Sequence, residues 1–409
     1  MRDLVAGPKN DGRGLDQKRL FIRVDFNVPL DKKTGAITDD ARIREALPTI
    51  KLAMESGAKV ILASHLGRPK PGKTDGLSLE PCGARLAELL STPDKSVEVH
   101  VPEDCVGDAP KKVIQDLRAG QICLLENLRF HPEEEKNDEG FARQLAELCD
   151  AYVDDAFGAV HRAHASVHAL PLLVADRAAG LLLEKELLAL GRIVKNPEKP
   201  FLAVLGGAKV SDKIDVVEAL LGLVDALAIG GAMANTFLAA LGKNMQKSLV
   251  EEDKLPLART IMEKAKARNV NLVLPVDVVV GSGIDAKEGS IVDADKVPEG
   301  TMALDIGPRT VDLINAEVAK AASIFWNGPM GLFETKAFAE GTFGVARAMS
   351  KAKGFTVIGG GDSASAVKLA GDDVAAGFDH ISTGGGASLE LIEGKTLPGV
   401  AALASGGGA

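Results

Sequence analysis

Aromatic side chains are scarce: they make up 4% of the 409 residues, with one tryptophan and one tyrosine. The 46% apolar share is ordinary for a globular protein, so a core must be aliphatic and alanine-rich. Cysteine is also rare. Cys82, Cys105, Cys123 and Cys149 are widely spaced and form no CxxC pair, which argues against a zinc site and against a disulfide scaffold. A reducing, cytoplasmic compartment fits this usage. Basic residues are outnumbered, 48 Lys and Arg against 57 Asp and Glu, for a net charge of -9. That balance disfavours a large nucleic-acid footprint but leaves room for a local basic pocket. Long apolar runs are missing too. Residues 1–14 are polar and lack the apolar segment of a signal peptide. The best membrane candidate, residues 226–242, is short for a span and contains Gly230, Gly231, Asn235 and Thr236. It reads as a buried strand, a turn and a buried helix.

The length is too great for one ordinary core and suggests two α/β domains of similar size. Apolar runs at 20–24, 59–63, 122–125, 152–153, 201–205, 226–229, 324–326 and 355–358 are mostly continuous rather than alternating. Strands buried on both faces of a parallel sheet have that pattern. Helical periods lie between them, at 42–56, 80–90, 141–148, 257–267 and 338–352. Alternation of this kind predicts two doubly wound parallel-sheet α/β domains of Rossmann-like type. Residues 1–180 form the first domain, 181–200 a linking helix and hinge broken by Pro197 and Pro200, and 201–393 the second domain.

The two halves end their strands in different chemistry. In the second half, four strands run into glycine clusters that each open a helix: Gly206 and Gly207, Gly230 and Gly231, Gly359 to Gly361, and Gly384 to Gly386. Glycine allows close approach of a phosphate, and helix N-termini present free N–H groups to it. Carboxyl ends of parallel strands line the ligand crevice in such sheets. Four clusters in one domain point to a polyphosphate ligand. Lys209 and Lys213, four apart at the start of the first such helix, share a face towards it. Asp362 reads as a helix N-cap, and also as a carboxylate for a magnesium ion carried on nucleotide phosphates.

In the first half the strand ends carry arginine, histidine and amide groups: Arg23, Asp25 and Asn27; His65 and Arg68; Asn127 and Arg129; His161, Arg162 and His164. Arg42 opens the first helix. Singly these are surface residues; together they make a cationic pocket suited to phosphate and carboxylate oxygens. The histidines lack the spacing of a metal site. Residues 67–74 match the P-loop pattern GxxxxGK[ST]. Pro69 and Pro71 remove two backbone donors that such a loop needs, and helical periodicity resumes only near Glu80, so the match is coincidental.

The segments RVDFNVPL (23–30), SHLGRP (64–69), LLENLRFHPEEE (124–135), DDAFGAVHRAHAS (154–166), GGAKVSDKI (206–214), WNGPMGLFE (326–334), GGGDSASA (359–366) and STGGGASLELIEGKTLPGV (382–400) closely resemble phosphoglycerate kinase. The resemblance runs from Arg19 to Leu403. It implies Mg²⁺-dependent transfer of the acyl phosphate of 1,3-bisphosphoglycerate to ADP, giving 3-phosphoglycerate and ATP, by a monomer that closes about its hinge. By motif match, Asp25, Asn27, Arg42, His65, Arg68, Arg129 and Arg162 hold the phosphoglycerate. Gly207, Ala208, Lys209, Lys213, Gly231, Asn327, Gly328, Pro329, Glu334, Gly361, Asp362 and Ser363 hold the nucleotide, with Glu334 at the ribose and Asp362 at the magnesium. Arg42, Lys209, Gly384 and Gly385 neutralise the transferring group. Residues 394–409 return to the first domain. Nucleophile and leaving group are already anions, so the chemistry needs alignment and charge stabilisation rather than a general base.

The chain departs from the family pattern at Ala232, Ile284 and Ala303, which bears on nucleotide affinity and base preference, and its stretch before Lys18 is longer and more polar. Two other readings compete: a nucleotide-hydrolysing P-loop protein, disfavoured by the prolines, and a non-catalytic nucleotide-binding protein on the same fold.

Overall fold

The computed structural model describes residues 1–7, 14–31, 33–70 and 76–405. Each of the eight apolar runs falls on a strand. In the first half the strands are β1 (Arg19–Arg23), β2 (Lys59–Ala63), β3 (Val99–His100), β4 (Ile122–Leu124), β5 (Ala151–Asp154) and β6 (Asp176–Ala179). They form one parallel sheet in the order β3-β4-β2-β1-β5-β6. Successive residues of a strand serve opposite faces. Leu20, Ile22, Val60 and Leu62 pack with Ile43 and Ile50 of the helix Ala41–Glu55, while Phe21, Ile61 and Tyr152 pack with Phe141 and Leu145 of the helix Glu139–Ala146. Both faces are thus covered, and the runs had to be continuous.

The second half continues with β7 (Phe201–Leu205), β8 (Ala226–Ile229), β9 (Asn271–Val273), β10 (Asp277–Gly281), β11 (Ser290–Asp293), β12 (Met302–Ile306), β13 (Ser323–Asn327), β14 (Phe355–Gly359) and β15 (His380–Ile381). Six of these form a second parallel sheet, β15-β14-β13-β7-β8-β9. Its order reverses between β7 and β13, a place where doubly wound sheets open a crevice at their carboxyl ends. The expectation of two parallel-sheet α/β domains holds. Residues 226–242 are, as expected, a buried strand followed by the helix Gly231–Ala240. Among the described residues no helix is long and apolar enough to cross a membrane.

One element departs from the expectation. β10, β11 and β12 form a separate antiparallel sheet in the order β11-β10-β12. Val278 and Val280 are buried against Leu238 and Ala303, whereas Val279 is half-buried and Ile291 exposed. A search for continuous apolar runs passes over strands with one wet face.

The chain divides into two compact units, Met1–Leu187 with Thr396–Ala409, and Leu188–Lys395. In the first unit the C-terminal helix Pro398–Ala404 packs against residues 165–173, and Gly399 N–H donates to Val160 O at 2.9 Å. The helix Leu181–Lys195 begins in the first unit and ends in the second. Its first turn rests on a buried carboxylate: Asp155 Oδ1 accepts from Leu182 N at 2.9 Å and Leu183 N at 3.2 Å. Gly180 has no room for a side chain, since a Cβ there would lie 2.1 Å from Asp155 Oδ1. Among the described residues Asp155 Oδ2 is buried without a hydrogen-bond partner.

Burial pushes the Asp155 carboxyl up to about 7. A carboxyl whose folded value exceeds its unfolded one stabilises the fold fully below the unfolded value, and that contribution is lost as pH rises through about 7. The full difference is on the order of 4 kcal/mol. Asp155→Asn keeps an oxygen acceptor for the helix and removes the titration. Its urea midpoint relative to the parent is therefore expected to rise between pH 5 and pH 8. A pH-independent difference would remove the buried charge as the cause.

Candidate active site

In the first unit, the carboxyl ends of β1, β2, β4 and β5 bring together most of the residues expected at a phosphoglycerate pocket. Arg42, at the second position of its helix, forms an ion pair with Asp25. Burial alone would raise the Asp25 carboxyl, but His65, Arg42 and Arg23 around it bring it below its ordinary value. Asn27 Oδ1 accepts from Gly67 N at 2.8 Å, tying the loop after β1 to the loop after β2. Arg129 is buried and donates from Nη1 to Gly67 O at 2.7 Å, with Glu135 at 3.0 Å from its Nε. Burial, Arg162 and Arg23 lower its guanidinium pKa, while Glu135 opposes them. Arg162 is exposed, its Nε donating to His161 Nε2 at 3.1 Å. Arg68 is exposed and has no hydrogen bond or ion pair among the described residues. Burial takes the His65 imidazole well below its ordinary value; Asp25 opposes the shift, and Arg23, Arg129 and Arg42 add to it.

A buried frame holds these groups, and the sequence does not single it out as such. Arg23 is fully buried; its Nε donates to Ser166 Oγ at 2.8 Å and its Nη2 meets His65 Nδ1 at 3.1 Å. Ser166 in turn donates from Oγ and N to the buried Glu134 carboxylate, at 2.5 and 2.9 Å. Asn127 clamps two loops, donating from Nδ2 to Leu66 O and Leu77 O at 2.8 and 2.9 Å and accepting from Arg129 N at 3.1 Å. An arginine in a motif looks the same in sequence whether it frames a pocket or lines it. Only long-range packing separates Arg23 from Arg129.

In the second unit the helices Gly231–Ala240 and Gly361–Ala370 start one residue after β8 and β14, and Gly385–Ile392 starts after a short loop from β15. Their N-cap residues are Gly230, Gly360 and Gly384, and no side chain caps any of them. First-turn N–H groups at Gly361 and Gly385 are therefore left for a ligand, whereas in the Gly231 helix Met233 N–H donates to Gly207 O at 3.0 Å. The loops interlock. Gly206 N–H donates to Asn327 O at 2.9 Å, Gly207 N–H to Pro329 O at 3.0 Å, Gly231 N–H to Met330 O at 2.8 Å, and Gly328 N–H to Ser363 Oγ at 2.6 Å. Several glycines are small because another loop touches them: a Cβ on Gly231 would lie 2.6 Å from Gly207 N, and one on Gly385 2.9 Å from Gly360 Cα. Among the described residues nothing lies within 4 Å of a Cβ built on Gly361.

Two expectations need correction here. Lys209 and Lys213 do not share a helical face: residues 206–210 form a loop, Ser211–Lys213 a 3₁₀ turn, and the α-helix opens only at Ile214. Glu251 holds that loop, accepting from Val210 N at 2.6 Å and Ser211 N at 3.1 Å. Lys209 stands exposed with Ala208, while Lys213 folds back to donate from Nζ to Asn327 O at 3.0 Å. Burial brings the Lys213 ammonium down to about 8, although Asp362 and Asp212 resist the shift. Asp362 is not the N-cap; Gly360 is, and Asp362 is exposed in the first helical turn. Glu334 is exposed in the loop that follows β13. Of the departures from the pattern, Ala303 is buried in β12, Ile284 is exposed and Ala232 is half-buried at the start of its helix. Part of the P-loop-like stretch, residues 71–75, lies outside the described residues, and the next helix is Glu80–Leu90, as expected.

This geometry has close counterparts. The family model for phosphoglycerate kinase matches residues 11–395. The chain belongs to the phosphoglycerate kinase family. It is 57% identical over 396 residues to the phosphoglycerate kinase of Anaeromyxobacter sp. (strain Fw109-5), covering 96% of this chain and 98% of that one. It is 53% identical over 394 residues to that of Moorella thermoacetica, covering 95% and 97%. The solved phosphoglycerate kinase of Coxiella burnetii superposes with a TM-score of 0.84 at 41% identity over 96% of this chain and 97% of that one. The Pyrococcus horikoshii enzyme gives 0.82 at 34% identity over 95% and 96%. Phosphoglycerate kinases are phosphotransferases of glycolysis, and their substrates are small molecules.

A phosphoglycerate kinase bound to a magnesium nucleotide needs few metal ligands of its own, because Mg²⁺ takes one or two carboxylates and fills its octahedron with phosphates and water. The described residues fit that demand. Asp362 offers one exposed carboxylate beside an uncapped helix N-terminus, close enough to Lys213 to act on its charge.

Proposed function

We propose that this chain catalyses reversible, Mg²⁺-dependent transfer of the acyl phosphate of 1,3-bisphosphoglycerate to ADP, as a cytoplasmic monomer. The observation that carries the reading is the pair of uncapped helix N-termini at Gly361 and Gly385, with Lys213 held on Asn327 close enough to Asp362 to feel its charge, in a unit rich in glycine loops. They match a polyphosphate, as the arginine, asparagine and histidine ends of the first unit match a phosphorylated carboxylic acid. Asp25, Asn27, Arg42, His65, Arg68, Arg129 and Arg162 hold the three-carbon acid. Gly207, Ala208, Lys209, Lys213, Gly231, Asn327, Gly328, Pro329, Glu334, Gly361, Asp362 and Ser363 hold the nucleotide.

The β-phosphate oxygen of ADP attacks the acyl phosphate and the carboxylate of 3-phosphoglycerate leaves; no proton moves. The residues therefore orient and neutralise. Arg42, Lys209 and the N–H groups at Gly384 and Gly385 share the charge of the transferring group. Lys213, anchored on Asn327, presents a fixed cation rather than a swinging one. When bound, Mg²⁺ neutralises nucleotide phosphate charge, and Asp362 is the residue that would hold it.

The test is 3-phosphoglycerate-dependent ATP consumption with Mg²⁺, coupled to reduction of the product by glyceraldehyde-phosphate dehydrogenase and NADH. Activity is expected only with all three components, and Lys209→Ala is expected to lower kcat about 100-fold. ATP consumption that ignores 3-phosphoglycerate would overturn the proposal, as would a folded protein that binds nucleotide without turnover.

A further inference from the structure

We propose that Asp104, Cys105 and His131 form a zinc-class divalent metal site that pins the arginine-bearing loop of the first unit. Their candidate ligand atoms, a carboxylate oxygen, Cys105 Sγ and an imidazole nitrogen, all lie within 4.8 Å of one another. Cysteine spacing in the sequence argues against zinc because it looks for CxxC pairs. Here the fold brings the loop after β3 to the residue that follows the turn Leu128–Phe130.

The donor set selects the metal. Thiolate and imidazole with one carboxylate suit Zn²⁺ and disfavour Mg²⁺, which takes oxygen ligands. Tetrahedral zinc with bonds of about 2.0–2.3 Å sets its ligand atoms about 3.3–3.7 Å apart. The present spacing needs side-chain adjustments of about 1 Å to reach that. His131 Nε2 and Asp104 Oδ1 are already 2.7 Å apart and would open slightly to admit the ion.

The surroundings are those of a built site. Asp104 Oδ1 accepts from Cys105 N at 2.6 Å, which orients the carboxylate. The His131 ring stacks on Phe141, with centroids 5.2 Å apart and planes inclined by 23°. Cys105 is fully buried, whereas the Asp104 and His131 side chains are 46% and 28% exposed. An ion thus has an entry path, and water has the fourth position. Burial, Asp104 and Glu134 oppose ionisation of the thiol. The Asp104 carboxylate beside the thiol attracts a cation, and on binding the thiol releases its proton to solvent as the S–metal bond forms. His131 lies two residues beyond Arg129, so the ion would fix the turn that aims that arginine without touching the reacting atoms.

The experiment uses the full chain, stripped with chelator and titrated with Zn²⁺, then with Co²⁺ as a spectroscopic stand-in. One equivalent of Zn²⁺ should remain after dialysis, the melting temperature should rise with zinc, and Co²⁺ should give a thiolate charge-transfer band in the near ultraviolet. Cys105→Ser should abolish the band, and both Cys105→Ser and His131→Gln should weaken zinc binding about 100-fold. If Cys105→Ser does not fold, the band in His131→Gln and in Asp104→Asn decides: shifted or lost in both supports the site. Failure of the parent chain to retain zinc, or a band unchanged in the variants, overturns it. None of these readouts depends on turnover, so the result is separate from that of the kinase assay.

Discussion

Arg42→Ala is expected to lower kcat by about 100- to 1,000-fold while the protein keeps its secondary structure. The side chain is 37% exposed, so little packing is lost with it. Its ion partner Asp25 is only 12% exposed and would be left behind. Of the groups that hold its carboxyl down, the buried Arg23 and His65 remain. The variant therefore has two distinguishable effects. An orphaned Asp25 destabilises the fold by about 1–3 kcal/mol, and the loss of a guanidinium at the transferring group slows turnover. Asp25→Asn in the Arg42→Ala background separates them: melting temperature should recover and kcat should not. Arg42→Lys should recover only part of kcat, because a point charge cannot reproduce the planar fork. Turnover restored by the Asp25 change would show that Arg42 acts through its partner and not on the substrate.

The sequence is a good guide to the fold where one physical rule governs. A strand buried on both faces must be continuously apolar, and β1, β2, β7, β8, β13 and β14 are found on that ground. The rule fails for β10 to β12, whose exposed faces break the run, and for β3 and β15, two residues each and too short to carry a pattern. At the site the glycine clusters and strand-end arginines are legible because each is a local signal. What they rest on is not. The chain Arg23, Ser166 and Glu134 joins residues 143 and 32 positions apart through buried hydrogen bonds. Lys213 leaves the helical face that its spacing from Lys209 suggests because its ammonium finds the Asn327 carbonyl across 114 residues. Local periodicity holds no record of such contacts.

Glycines read alike in sequence but divide sharply in the structure, and Gly328→Ala against Gly361→Ala exposes the division. Gly328 sits at φ +93°, where an L side chain is strained by about 1–2 kcal/mol. A Cβ there would also lie 2.3 Å from Gly206 O and 2.8 Å from Lys213 Nζ. Neither can retreat easily. Gly206 is held by its bond to Asn327 O, and Gly328 itself is fixed by Ser363 Oγ on one side and by Trp326 Nε1, 2.8 Å from its carbonyl, on the other. The methyl group therefore pries apart the loops after β7, β13 and β14 together. Gly328→Ala is expected to lower the melting temperature by several degrees and kcat/KM for nucleotide by at least about 10-fold. Gly361 has nothing among the described residues within 4 Å of its Cβ position and no positive φ, so alanine fits there without strain. Gly361→Ala should leave the melting temperature unchanged or slightly raised. Its methyl group would still stand where a phosphate approaches the helix N-terminus, so KM for nucleotide should rise about 10-fold with KM for 3-phosphoglycerate unchanged. Melting curves and the two KM values, measured side by side, decide the matter. A Gly361→Ala enzyme with normal nucleotide KM would remove that helix end from the nucleotide site, while a Gly328→Ala protein of parental stability would contradict the interlocked loops themselves.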